Sequence, residues 1–160
     1  MSRTLRPVPR WAIYSSWLLS FVGLGIAFYL TLVHFIGKQI LACSDTGIVN
    51  CFKVTTSAQS YFLHVSVAVL GLANFVLMVI LNSPWVWKMR NYWVQVARFT
   101  LAIGAMIFVL WLVYAELIII NNICLWCTGV HVVTFALFVV LVRVCPVQLG
   151  WANSPTSATQ

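Results

Sequence analysis

Four uninterrupted apolar runs divide the chain: Trp11 to Ile36, Phe62 to Leu81, Phe99 to Ile120 and Cys124 to Val144. Each is close to the ~20 apolar residues that a helix needs to cross the hydrocarbon layer of a bilayer. The pattern predicts an all-α membrane protein, a four-transmembrane-helix bundle with almost no soluble mass, forming one domain over residues 1–150. Between the first two runs lies the one sizeable polar segment, Lys38 to Tyr61, an external loop over 38–61 with turn-forming residues and no helical period. Only Asn121, Asn122 and Ile123 join the third and fourth runs, so those helices are expected to be antiparallel neighbours. Residues 151–160 are rich in Ser and Thr and predict a disordered tail. There is no internal repeat.

Composition narrows the class. Hydrophobic residues make up 62% of the chain and charged residues 7%, against roughly 25% charged in an ordinary globular chain. With a mean hydropathy of +1.00, both a soluble fold and disorder are excluded. The net charge of +7 could suggest nucleic acid, but the nine Lys and Arg stand singly between apolar runs and form no stripe, so no nucleic-acid partner is expected. Arg3, Arg6 and Arg10 before an apolar run resemble a signal peptide, yet that run is 26 residues long without a small-residue cleavage site, which favours a retained helix. If all four runs cross, Arg3, Arg6, Arg10, Lys88, Arg90, Arg98 and Arg143 share one side, and only Lys38 and Lys53 lie opposite. The positive-inside bias then puts both termini in the cytoplasm of a cell whose inner membrane the chain spans. Trp11, Trp85, Trp87 and Trp93 at the run edges suit an interfacial belt.

Cys43 and Cys51 fall in the external loop, and Cys124 and Cys127 form Cys-Leu-Trp-Cys at the outer mouth of the fourth helix. Four of the five cysteines thus share the side on which disulfides form and persist. Cys145, at the inner end beside Arg143 and Pro146, reads as an incidental thiol. At a helix start, the first thiol of a Cys-x-x-Cys pair meets unpaired backbone N–H groups and the positive end of the helix dipole, which favour its thiolate. Asn121 or Asn122 is the expected cap, with Cys124 in the first turn and Cys127 about a turn deeper. One sulfur then faces the aqueous boundary and the other the membrane interior, within reach of a lipid-soluble electron carrier. The bland alternatives are two inert staples or a zinc site. The eight-residue step from Cys43 to Cys51 is unlike a zinc knuckle, so no metal is expected, and so small a ring as Cys-x-x-Cys adds little stability. Exchange chemistry is the stronger reading.

With these pairs in a four-span frame, the chain resembles the vitamin K epoxide reductase family, whose bacterial members couple disulfide formation to quinone reduction. The resemblance covers roughly Ser15 to Arg143: a first helix, the external Cys43 and Cys51, a hydroxyl at Ser57, Gly71 in the second helix, and Cys124-Leu-Trp-Cys127 opening the last. It implies a quinone-dependent thiol-disulfide oxidoreductase. Cys43 would exchange with a thioredoxin-like partner on the outer face, and a mobile loop would carry the outer pair to the helix mouth. Cys51 would pass electrons to Cys124, and Cys127 would face a ubiquinone or menaquinone. Ser57 would place its hydroxyl near the shuttle cysteine or the quinone head group, although a local hydroxyl turn is equally open and Thr55 and Thr56 lie beside it. Where many relatives have Asn four residues before the second-helix Gly, this chain has Val67, with Ser66 or His64 as candidate substitutes.

Ionisable groups inside spans are functional candidates by default. Glu116 is the only acid in any run, close to the level of Cys127, and can handle protons, contact the quinone or simply pack. His131, four residues beyond Cys127, shares its helix face one turn deeper. Relatives often carry a polar aromatic there, which implies a hydrogen bond to a quinone oxygen. His34 and His64 near the outer ends of their runs read as interface markers. Three rivals remain at this stage: a reductase of vitamin K quinone or epoxide using the same cysteines, a b-type haem protein using His34, His64 or His131, and a disulfide-stapled scaffold.

Overall fold

The computed structural model describes residues 7–37, 42–43, 47–62, 64–89 and 91–151. Arg3, Arg6, Lys38, Arg90, part of the loop 38–61 and the expected tail beyond Trp151 lie outside the described residues.

The first apolar run forms α1, Arg10–Ile36. It stops at Gly37, whose φ of 98° is a left-handed conformation that suits a residue without Cβ, and whose N–H returns to the Val33 carbonyl at 2.9 Å. A short α2, Cys51–Thr55, follows, its first turn capped by the Asn50 side chain, which accepts from Lys53 N at 2.8 Å. A 3-10 turn at Ala58–Ser60 leads into a small hairpin, β1 Tyr61–Phe62 with β2 Val65–Ser66, and then α3, Val67–Leu81. After α4, Pro84–Lys88, come α5, Tyr92–Tyr114, a π-helical turn Ala115–Ile120 that continues it, and α6, Leu125–Gln148.

Among the described residues, three helical stretches are long and apolar enough to cross a membrane: Arg10–Ile36, Tyr92–Ile120 and Leu125–Gln148. The second expected span, Phe62 to Leu81, is shorter than its apolar run. Its first residues pair as the hairpin, in which His64 takes a φ of 67°, so α3 keeps 15 residues. At ~1.5 Å per residue that is about 22 Å of helix, less than the ~30 Å of hydrocarbon.

The helices pack in the order α3, α1, α6, α5, with α5 returning to α3 only lightly. From Ala12 to Ala27 the buried stripe of α1 is made of small or hydroxyl residues, Ala12, Ser16, Ser20, Gly23 and Ala27, which lets its neighbours approach closely. Ser20 and Thr31 return their hydroxyls to the carbonyls of Ser16 and Ala27 at 2.7 and 2.8 Å, so burial leaves neither donor unsatisfied. At Gly23 the approach is closest: the buried Phe75 ring of α3 occupies the place a Cβ would take.

At the end away from the cysteine pairs stands Arg98. It is fully buried, where a topology charge would face solvent. Its guanidinium donates to the Leu81 carbonyl and to the Gln95 side chain, and lies 3.5 Å from the centroid of the Trp87 ring. Trp87 is therefore core, whereas Trp11, Trp85 and Trp93 are exposed as a belt requires. Cys145 is also fully buried and packs into the same core with Met78, Trp87 and Leu141.

Candidate functional site

The segment before Cys51 is hydrogen-bonded to the segment before Cys124. Ile123 N donates to the Ile48 carbonyl at 2.9 Å and Asn50 N donates to the Ile123 carbonyl at 3.1 Å, a parallel bridge centred on Val49 and Ile123. Two residues beyond Val49 stands Cys51, the first residue of α2; one residue beyond Ile123 stands Cys124, at the mouth of α6. The bridge thus sets Cys51 beside the mouth of α6. Cys51 and Cys124 are both buried, in one cluster with Val54, and Cys43, Ile120, Trp126 and Cys127 pack around it. All four cysteines meet in that cluster. Cys43 and Cys51 are joined as a disulfide, and Cys124 and Cys127 are free thiols.

Cys43 is anchored separately. Both backbone groups of the preceding Ala42 are taken by side chains from two helices: Ala42 N donates to the Tyr29 hydroxyl at 2.8 Å, and Trp126 Nε1 donates to the Ala42 carbonyl at 2.9 Å. The two rings pack with centroids 4.5 Å apart. Trp126, the third residue of Cys-Leu-Trp-Cys, therefore clamps the outer pair onto the inner one. Replacing Trp126 with Leu keeps an apolar residue but loses the N–H, and each lost bond of this kind is worth about 1 kcal/mol. Cys43 should then become more accessible, seen as faster reduction of the Cys43–Cys51 disulfide by a small water-soluble thiol. Unchanged reduction would show that the clamp does not hold the loop.

The cap of α6 is Cys124 itself, a correction to the expectation for Asn121 or Asn122. Its sulfur accepts from Cys127 N at 3.3 Å. Asn121 instead takes a left-handed φ of 52° that ends the π-helical turn, and the Asn122 side chain donates to the Ile120 carbonyl at 3.0 Å. The Cys124 thiol, just outside the span, is held below the ordinary thiol range, first by hydrogen bonding with the Cys127 side chain, although burial pushes the other way.

Below this cluster the light contact between α3 and α5 opens into a cavity of about 580 Å³, within the usual range for small-molecule sites. Cys127, Glu116, His131 and Ser57 all line it. Glu116 is buried on the π-helical turn, and its carboxyl lies close to the Cys124 backbone and the Cys127 thiol. His131 is buried one turn beyond Cys127, and its ring makes no hydrogen bond among the described residues. The Ser57 hydroxyl donates to the Val54 carbonyl at 2.8 Å, so the local turn and the cavity wall coincide in one residue, whose hydroxyl is left as an acceptor only. Thr55 also lines the cavity, with its hydroxyl donated to the Cys51 carbonyl at 2.9 Å.

Of the two candidate substitutes for the missing Asn, Ser66 reaches the cavity; His64 is exposed and is not among the lining residues. His34, expected only to mark an interface, lines the cavity, with Nε2 3.4 Å from the Tyr61 hydroxyl. Sequence reasoning missed Asn74. It lines the cavity on α3, three residues after Gly71, and its amide makes no hydrogen bond among the described residues. A lone Asn within an apolar run was the available signal. Gly71 and Gly104 line the cavity from opposite helices, and a Cβ on either would meet nothing within 4 Å.

Residues 15–142 match the Vitamin K epoxide reductase family. The chain belongs to this family. The match runs from α1 into α6 and takes in both cysteine pairs and the cavity. Members of the vitamin K epoxide reductase family are membrane oxidoreductases, and the apolar helices and clustered cysteines of this chain fit that class. No individual curated protein matches the sequence.

Proposed function

We propose that this vitamin K epoxide reductase family member oxidises a thioredoxin-like dithiol partner on the outer face of a bacterial inner membrane and passes the electrons to a membrane quinone. The observation that carries the reading is the packing of all four cysteines in one cluster from which Cys127 opens onto an apolar cavity. The bundle belongs to one domain with both termini cytoplasmic, and α3 with its hairpin makes the second of four crossings. Cys43 exchanges with the partner, Cys51 attacks Cys124, and Cys127 delivers electrons to the cavity; each exchange is thiolate attack on a disulfide. An oxidised outer pair beside two free inner thiols is the state reached once electrons have passed inward and before they leave.

A quinone accepts two electrons and two protons and departs as quinol. Two polar side chains suit its oxygens: the Asn74 amide on α3 and the His131 ring on α6, both facing the cavity without protein partners among the described residues. Small residues at Gly71 and Gly104 leave room for a flat ring between α3 and α5. The family's name favours a second reading, in which the acceptor is vitamin K quinone or its epoxide. The same four cysteines would serve it.

Purified protein given a reduced thioredoxin-like partner should bleach the absorbance of a short-chain ubiquinone or menaquinone while the partner gains one disulfide per quinone. Asn74→Leu should raise the KM for quinone about tenfold, the scale of one lost hydrogen bond to a buried polar group. No bleaching with either quinone would reject the reading, and bleaching only with vitamin K forms would select the second.

A further inference from the structure

Glu116 is buried, on a membrane-spanning stretch that has no other acid. It sits where α5 gives way to the π-helical turn Ala115–Ile120, and such turns shift the register of a helix and recur at functional sites. The turn is held by the chain itself: Asn122 N donates to the Glu116 carbonyl at 3.1 Å. The carboxyl lies close to the Cys127 thiol and the Cys124 backbone, and Glu116 and Cys127 share the cavity wall. The Cys124 sulfur in turn accepts from Cys127 N at 3.3 Å. Cys124, Cys127 and Glu116 are therefore gathered at the edge of the cavity.

Resting on the quinone-reduction reading above, we infer that Glu116 is a catalytic residue that carries the thiol protons of the inner pair to the reduced quinone. The balance is complete with the groups present. Two S–H bonds break and the Cys124–Cys127 bond forms, and the electron pair goes to the quinone. The Glu116 carboxylate takes the proton of Cys127 and releases it to a quinone oxygen. Once the carboxylate has released that first proton, it takes the proton of Cys124 directly as the Cys124 sulfur closes on Cys127, and passes it to the second oxygen, which completes the quinol. Glu116 ends as it began. A carboxylate in contact with the reacting sulfur is what general base catalysis requires before any question of pKa. The titratable groups facing it are Cys124 and Cys127 at the start of α6, His131 deeper on α6 and His34 from α1; the cavity-lining residues of α2, α3 and α5 include none.

The test is a rapid-mixing measurement of quinone bleaching by protein whose inner pair has been reduced, followed between about pH 5 and pH 9. Glu116→Gln keeps the volume but cannot carry a proton. It should slow bleaching about 100-fold, the scale of lost general base catalysis. It should also remove the lower of two rises in rate with pH, leaving the rise that belongs to the thiols. Glu116→Asp, which keeps the carboxyl, should retain both rises at an intermediate rate, and carries the test alone if the Gln variant fails to fold. Variants that are slow but keep the wild-type pH profile in the Gln form, an Asp form without the lower rise, or a Gln form as fast as wild type would overturn the role of Glu116 while wild-type bleaching upholds the broader reading. No bleaching by the wild type would remove both.

Discussion

Cys127→Ser should abolish quinol formation, with a fall on the order of 10³-fold or more, the scale on which removal of a reacting nucleophile acts. Cys127 is the one cysteine among the described residues that lines the cavity, so no other thiol stands ready to take its place at the acceptor. A serine hydroxyl cannot form or break a disulfide, so Cys51 has no inner disulfide to attack and electrons stop at the outer pair. Because Cys127 is already a free thiol, its loss removes no cross-link, and the stability change should stay within about 1 kcal/mol. Partner exchange at Cys43, held by its own clamp from Tyr29 and Trp126, should survive. The assay is quinone bleaching alongside partner capture. Retained turnover would reject Cys127 as the last thiol.

Cys51→Ala should be costlier to the fold and equally fatal to turnover. It opens the Cys43–Cys51 disulfide, and a native disulfide contributes about 2–4 kcal/mol. The thermal midpoint should therefore fall where that of Cys127→Ser does not. Cys51 is also the thiol that would hand electrons to Cys124 beside it. Without it Cys43 is left as a lone thiol, and when the partner is supplied in its disulfide form Cys43 should attack that bond and give a mixed disulfide that no Cys51 resolves, seen as a larger species on a non-reducing gel and lost on reduction. An active Cys51→Ala variant with no such species would mean a different order of transfer.

The parts of this architecture that were legible in the sequence are those set by local pattern. Long apolar runs mark α1, α5 and α6, and the three residues Asn121 to Ile123 fix α5 and α6 as neighbours. The Cys-x-x-Cys pair declares a helix mouth, and helical spacing alone puts His131 on the face of Cys127. What was not legible depends on contacts remote in the chain. The Trp126 to Ala42 bond joins positions 84 residues apart, and nothing in the local sequence announces it. Nothing beside Arg98 in the sequence shows that the end of α3 and Trp87 enclose it. The apolar run that begins at Phe62 is helical in composition, yet its start is taken by hairpin pairing, which no helical pattern reveals. Asn74 belongs to the site because α3 and α5 part around it, a property of packing and not of spacing.

The sulfur path itself is tested most directly in a Cys43→Ala/Cys127→Ala variant, in which each pair keeps only its buried member. After mild oxidation in membranes, mass spectrometry of the digested protein should find Cys51 and Cys124 joined to each other in most molecules, because the bridge from Val49 to Ile123 holds them in one cluster. Both thiols remaining free, or bonded to other molecules, would contradict the path on which the proposed function depends.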